Sequence, residues 1–319
     1  MENDFFWKCL LFASLLALGY TYAGYPVALF LTSLFFRKKR KLSPGFFPTV
    51  SLIIPAHNEE ACIEKKIKNA LELDYPPEKL EIIVASDAST DATVEKARAY
   101  GPRVKVCDFK ERSGKMGVVN KVVSEATGDI LALTDANAHF ASYTLKELVK
   151  FFADEKVGCV SGAKVIRNVG AHIETDQGES QYWKYESILK YAESLTGSCV
   201  GAEGSVYAVR KKLFPFPKSQ RILMDDFAVS LLIVTQGYDC VFEPAARAFE
   251  ESAKKVQDEF GRKGRIFAGA LSFLIFNPGV VFSPLFFKLF SHKILRWLTF
   301  LFQVTLFCAS FFLSDNLVL

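Results

Sequence analysis

The chain has 319 residues, 50% of them hydrophobic, and its mean hydropathy of +0.17 exceeds that of most soluble proteins because apolar residues crowd its two ends. The five consecutive cations Arg37-Lys38-Lys39-Arg40-Lys41 more than account for the formal net charge of +4. The remainder therefore offers no basic field suited to nucleic acid.

From Phe5 to Phe36 the sequence is nearly all apolar and long enough to cross a bilayer. The basic cluster that follows predicts an amino terminus outside and everything after Lys41 in the cytosol. A cleaved signal peptide is the competing reading, but it calls for positive charge before a shorter apolar run. Next come alternating strand and helix signals. Val50 to Ile54 is an apolar run stopped by Pro55, and Asn58 is placed to cap a helix over Glu59 to Leu73, which Tyr75-Pro76-Pro77 ends. Leu80 to Ala85 reads as a second strand, and Ser89 or Thr90 caps a helix running to about Tyr100. Val104 to Cys107 is a third strand, Lys115 to Ala126 a third helix, and Ile130 to Leu133 a fourth strand. Four such units predict an α/β domain on a mostly parallel sheet, with ligands at the carboxyl ends of its strands.

Further on, Gly201-Ala202-Glu203-Gly204 precedes a strand over Val206 to Val209, and Met224-Asp225-Asp226-Phe227 opens an apolar helix running to Thr235. A second apolar zone begins near Phe267. Leu295 to Leu313 reads as a second crossing, whereas Phe267 to Phe290 is broken by Asn277-Pro278-Gly279 and Ser283-Pro284 and reads as interfacial or re-entrant helices. An ordinary buried helical hairpin is the alternative. Seven scattered cysteines without a C-x-x-C pair suit reduced structural thiols rather than disulfides or zinc.

The predicted strand ends carry Pro55-Ala56-His57-Asn58-Glu59, Asp87-Ala88-Ser89-Thr90-Asp91 and Asp135-Ala136-Asn137, so three polar clusters meet on one edge. Neither G-x-G-x-x-G after the first strand nor a P-loop is present, which argues against dinucleotide and P-loop chemistry. A lone carboxylate such as Asp135 after a buried strand needs solvent, a partner or a metal, unless it merely caps a turn. Glu59 and the Asp225-Asp226 pair also read as carboxylates favoured by a helix dipole, although two adjacent acids exceed what a dipole requires.

The ordered set PAHNE at 55–59, SDASTD at 86–91, GKMGVVNKV at 114–122, TDAN at 134–137, GAEGSVYAVRKKLF at 201–214, MDDF at 224–227 and RKGRI at 262–266 resembles the membrane-bound family 2 glycosyltransferases, among them bacterial polysaccharide and glycan synthases. The resemblance implies a GT-A type mostly parallel sheet flanked by helices, with an N-terminal transmembrane helix and C-terminal interfacial or transmembrane helices. It divides the chain into an anchor with its basic flank (1–48), a cytosolic catalytic domain (49–264) and interfacial and transmembrane helices (265–319). It implies a multi-pass protein of the cell membrane.

The same resemblance assigns donor binding to Pro55, Glu59, Asp87, Lys115 and Asp135, with Asp87 against the base of a UDP-sugar and Lys115 near the diphosphate. Divalent metal, Mg2+ or Mn2+, falls to Asp135 with Asn137, which presents a neutral amide where the commonest D-x-D motif has a second carboxylate. Asp226 is the implied general base with Asp225 beside it, and Glu203, Gly204, Arg262 and Arg265 belong to the acceptor side. Ile266 stands where processive synthases carry a tryptophan, which puts processivity in doubt. A basic helix turn facing anionic lipid is the other reading of Arg262 and Arg265. The implied reaction is inverting, metal-dependent hexosyl transfer to a saccharide or lipid-linked acceptor. A polyprenyl-phosphate sugar transferase, a sugar-nucleotidyltransferase and a catalytically degenerate membrane scaffold remain as alternatives. Expected partners are membrane lipid and either glycan-export proteins or a second copy of the chain.

Overall fold

The computed structural model describes residues 2–167, 173–216, 224–251 and 256–314, with side chains for 4–167, 181–216, 224–251, 264 and 266–313. Its centre is an eight-stranded sheet: β1 (Val50–Ala56), β2 (Leu80–Asp87), β3 (Lys105–Phe109), β4 (Ile130–Leu133), β5 (His139–Phe140), β6 (Val157–Arg167), β7 (Tyr207–Arg210) and β8 (Asp239–Glu251). They lie in the order β3-β2-β1-β4-β7-β6-β8-β5.

The first four strands are all parallel, as the βα repeats predict. Beyond them the sheet is mixed: β7 runs antiparallel to β4 and β6, β8 is parallel to β6, and β5 is antiparallel to β8. The early strands read as near-continuous apolar runs because both sheet faces are covered. Ile53, Ile83, Leu131 and Leu133 face one core, and Leu52, Ile54, Ile82, Val84 and Ile130 face the other.

Ahead of the sheet, α1 (Glu2–Gly19) passes through a π turn into α2 (Tyr25–Phe35). Together, Asp4–Phe35 form a helix long and apolar enough to cross a membrane, little of it covered by protein. Within the domain, α3 (Ile63–Leu71) begins later than the expected Glu59, and the reason is local. Asn58 adopts φ +55 and accepts the Thr90 N–H at 2.8 Å, while the Glu59 N–H donates to Thr93 Oγ1. The residues after β1 are thus tied to the next loop rather than wound into a helix.

That loop leads into α4 (Thr93–Arg98), whose first N–H is accepted by Asp91. α5 (Gly114–Glu125) packs Met116, Val119 and Val123 on the first core, and α6 (Thr144–Val149) packs Leu145 and Leu148 on the second. α7 (Ile173–Leu195) follows β6, and α8 (Asp225–Thr235) follows β7.

After β8, α9 (Val256–Phe276) runs through the expected 264/265 boundary and stops at Asn277. α10 (Pro278–Val281), α11 (Phe286–Leu289), a π turn at Phe290–Ile294, α12 (Leu295–Trp297) and α13 (Thr299–Ser314) complete the described chain. The expected second crossing is not one straight helix, because Phe286–Trp297 and Thr299–Leu313 meet at a 53° bend. Trp7 stacks on Phe312 at 4.4 Å, joining the two apolar ends of the chain. Deeper in, buried Glu193 of α7 accepts from Tyr25 of α2 at 2.6 Å and pairs with His292 at 2.8 Å, and the other ring nitrogen of His292 meets Glu186 at 3.2 Å.

Gly128 begins the stretch leading into β4. Its N–H donates to Ser51 Oγ at 2.8 Å, and a Cβ added there would stand 2.4 Å from the Ser51 nitrogen. Gly128→Ala must therefore push β1 and β4 apart. We expect it to destabilise the protein by about 1–3 kcal/mol, read as a lowered thermal unfolding midpoint.

Candidate active site

The carboxyl ends of β1, β2 and β4 and the amino ends of α5 and α8 enclose a cleft of about 680 Å3. Pro55, Glu59, Asp87, Lys115, Asp135, Asn137, Glu203, Gly204, Asp225 and Asp226 all line it. The side chains of Arg262 and Arg265 lie outside the described residues; their neighbour Ile266 on α9 lines the same cleft.

At the first side of the cleft Asp87, nearly buried, accepts the backbone N–H groups of Ser113 at 2.7 Å and Gly114 at 2.8 Å. A carboxylate on the free N–H groups of a helix start is favoured by both hydrogen bonding and the dipole. Through these bonds β2 fixes where α5 begins, and so where Lys115 stands. His57 also lines the cleft and bonds the Asp87 carbonyl through Nδ1 at 2.7 Å. Glu59 accepts from the Cys62 thiol at 3.0 Å.

Lys115 reaches across the cleft. Its Nζ lies 2.7 Å from Asp135 Oδ1 and 3.1 Å from Asp225 Oδ1. The two carboxylates outweigh burial and hold the ammonium well above the usual lysine range. Asp225 also accepts from the Tyr207 hydroxyl at 3.1 Å. Asp135 is half-buried at the end of β4, and Asn137 is exposed two residues on. These supply two hard oxygen donors on one turn, a set that suits Mg2+ or Mn2+ when phosphate oxygens and water complete the shell. Among the described residues no group of three or more His, Cys, Asp or Glu side chains is assembled to hold a metal by itself.

Asp226 sits beside Asp225 at the start of α8, with Oδ1 accepting the Phe227 N–H at 2.8 Å. Gly204 packs close beside it: a Cβ there would stand 3.0 Å from Asp226 Oδ2, so the carboxylate would have to shift by a few tenths of an ångström. Burial, and then the charge of Asp225, push the Asp226 carboxyl up to about 6, and Lys115 opposes the shift. Glu203 is pushed up to about 7 by burial, with Lys190 3.9 Å away as a weak counterweight.

The far wall consists of residues that the sequence motifs do not mark. Lys164 on β6 pairs with Glu250 on β8 at 2.6 Å and lies 5.1 Å from the centre of the Trp183 ring. Glu186, Lys190 and Lys293 complete that end. Apart from Glu250, next to the end of β8, these positions lie within β6, α7 and the C-terminal helices rather than at strand ends, so turn chemistry gives no signal for them.

Residues 51–214 match the family described as Glycosyl transferase family 2. A β-monoglucosyldiacylglycerol synthase from Nostoc sp. is 30% identical over 221 residues, covering 66% of this chain and 47% of that protein. A poly-β-1,6-N-acetyl-D-glucosamine synthase from Staphylococcus aureus is 28% identical over 221 residues, with coverage of 66% and 51%. The chain thus spans about half the length of the curated relatives it matches. Among solved structures, a mannosyltransferase from Pyrobaculum calidifontis in complex with GDP-Man and Mn2+ superposes with a TM-score of 0.74 at 24% identity, over 97% of this chain and 91% of that one. With its mixed α/β sheet of GT-A type, this chain belongs to glycosyl transferase family 2.

Proposed function

We propose that the protein is an inverting glycosyltransferase that moves a sugar from a nucleoside diphosphate donor, a UDP-sugar, to a hydroxyl of a saccharide or lipid-linked acceptor. The observation that carries this reading is the bridge from Lys115 to Asp135 and Asp225, which joins a donor-side and an acceptor-side carboxylate across one cleft. Pro55, Glu59 and Asp87 form the nucleoside end, and Lys115 faces the diphosphate as a fixed cation. Asp135 and Asn137 would hold a divalent metal, which supplies charge neutralisation at the departing diphosphate. The Mn2+ in the Pyrobaculum structure supports that expectation.

Asp226 takes the proton from the acceptor hydroxyl as its oxygen attacks the anomeric carbon, and the carbon–phosphate oxygen bond breaks with inversion. Gly204 leaves room beside that carboxylate, and Asp225 is held against Lys115 and Tyr207, so the pair divides into one fixed and one working acid. A base at this place suits a hydroxyl acceptor, because a polyprenyl phosphate is already ionised at neutral pH. Glu203, Gly204, Arg262 and Arg265 belong to the acceptor end. The relatives' names, a glycolipid synthase and a polysaccharide synthase, support both acceptor kinds.

In this reading the chain divides into an anchor (1–48), a catalytic domain (49–264) and interfacial and transmembrane helices (265–319), with the cleft on the cytosolic side of a cell membrane. The Asp4–Phe35 helix and the cations at 37–41 support this topology.

Asp226→Asn is expected to lower kcat/KM by about 100-fold or more, with UDP affinity within about threefold of wild type. UDP release from a UDP-sugar panel and direct UDP titration check the two halves, and wild-type turnover in the variant overturns the assignment. Because a base must be unprotonated, the rate should be half-maximal near the raised Asp226 value of about 6, approach its full value about one unit above it, and fall about tenfold per unit well below it. A kcat/KM profile flat down to about pH 4.5 would count against a base with that pKa.

A further inference from the structure

Lys66 lies on α3 at a position where the helix pattern calls for an apolar residue. Ile63, Ile67 and Ala70 share its face against the sheet, and Lys66 is, like Ile63 and Ile67, 0% exposed. A buried ammonium is costly unless its protons are bonded, and lysine is rarely found fully buried.

Its Nζ donates to Thr134 Oγ1 at 2.8 Å and to the Ala138 carbonyl, and lies 4.5 Å from the centre of the Phe140 ring. Among the described residues no carboxylate stands within ion-pair distance of it. Asp135 and Glu250 act only from farther off, and burial brings its pKa down to about 7.

Thr134 and Ala138 are the two ends of the five-residue turn that carries Asp135 and Asn137. One helical turn along α3, Asn69 bonds both the N–H of Phe140 at 2.7 Å and its carbonyl at 2.8 Å. The Thr134 N–H is bonded in turn to the Ile53 carbonyl of β1 at 3.3 Å. The turn is therefore held from behind, at its start, its end and just beyond. Lys66 supplies two of those bonds from one atom without contacting the Asp135 carboxylate, which remains in the cleft.

We propose that Lys66 is a positioning residue that fixes the Thr134–Ala138 turn so that Asp135 and Asn137 face a divalent cation together, and thereby sets that turn's cation affinity. This rests on the reading of Asp135 and Asn137 as cation ligands. The positioning is mechanical as well as electrostatic: the ammonium joins two ends of a turn that neutral side chains of similar length leave apart.

The test measures free Mn2+ by electron paramagnetic resonance while Mn2+ is titrated into the full chain in detergent with saturating UDP, for wild type, Lys66→Met, Lys66→Arg and Asp135→Asn. Circular dichroism melts and UDP titration without metal serve as controls for folding and for the nucleoside end. Lys66→Met should fold, bind UDP alone as wild type does and bind Mn2+ about tenfold or more weakly, the range seen when the support of a metal ligand is removed. Lys66→Arg should recover much of the loss. Wild-type Mn2+ affinity in Lys66→Met beside weakened binding in Asp135→Asn overturns the proposal alone. Wild-type affinity in Asp135→Asn overturns the ligand reading and this proposal with it. If Lys66→Met does not fold, Thr134→Val, which removes one acceptor at nearly constant volume, decides in its place, and unchanged Mn2+ affinity there overturns the proposal.

Discussion

The site is organised by one ammonium shared between two carboxylates. Lys115 stands between Asp135 at the end of β4 and Asp225 at the start of α8, and without it these two carboxylates would lose the cation that contacts both. Like charges repel more strongly in a desolvated setting, and the charge of Asp225 adds to burial, the larger cause, in raising the Asp226 carboxyl. The rest of the architecture serves to put that lysine in place. Asp87 ends β2 and caps α5, so a parallel strand sets the first turn of the helix on which Lys115 is the second residue.

The two adjacent acids of α8 owe their different environments to what they touch rather than to their place in the chain. Asp225 is nearly buried, with a cation on one oxygen and the Tyr207 hydroxyl on the other. Asp226 has a backbone N–H on one oxygen and a glycine beside the other. A helix start supports one carboxylate through its free N–H groups and dipole, so the second acid is accounted for by the cleft.

Much of this was legible from sequence because the relevant residues sit at boundaries, where turn chemistry and hydrophobic runs change together. The βα units, and β4 with the bounds expected for it, follow from buried apolar runs stopped by polar clusters. The start of α3 was not legible, since Asn58 spends its side chain on Thr90 across a loop and not on its own helix. β6 and β8 were also missed. Gly162 interrupts one and Glu243-Pro244 the other, and the ladder absorbs both at an irregularity where the pairing jumps from Ser161 with Phe242 to Ala163 with Arg247. The far wall went unseen with them, because Lys164 and Glu250 meet through that pairing and Trp183 comes to Lys164 from α7. Lys66 was invisible for a different reason: in a one-dimensional pattern a lysine reads as solvated, and only the packed turn of Thr134–Ala138 reveals what its ammonium holds.

The buried cluster of Tyr25, Glu193 and His292 has a consequence for the order in which the protein can be finished. Glu193 is shared by a helix near the amino terminus and a turn near the carboxyl terminus, 168 residues before it and 99 after it. During synthesis the first helix is available early, but its tyrosine has no acceptor until α7 emerges, and that acceptor has no imidazole until the last helices follow. Glu186, on the same helix as Glu193, and Lys293, next to His292, both line the cleft. The wall they form therefore needs α7 and the turn at Phe290–Ile294 together, and both follow β1, β2 and β4 in the chain.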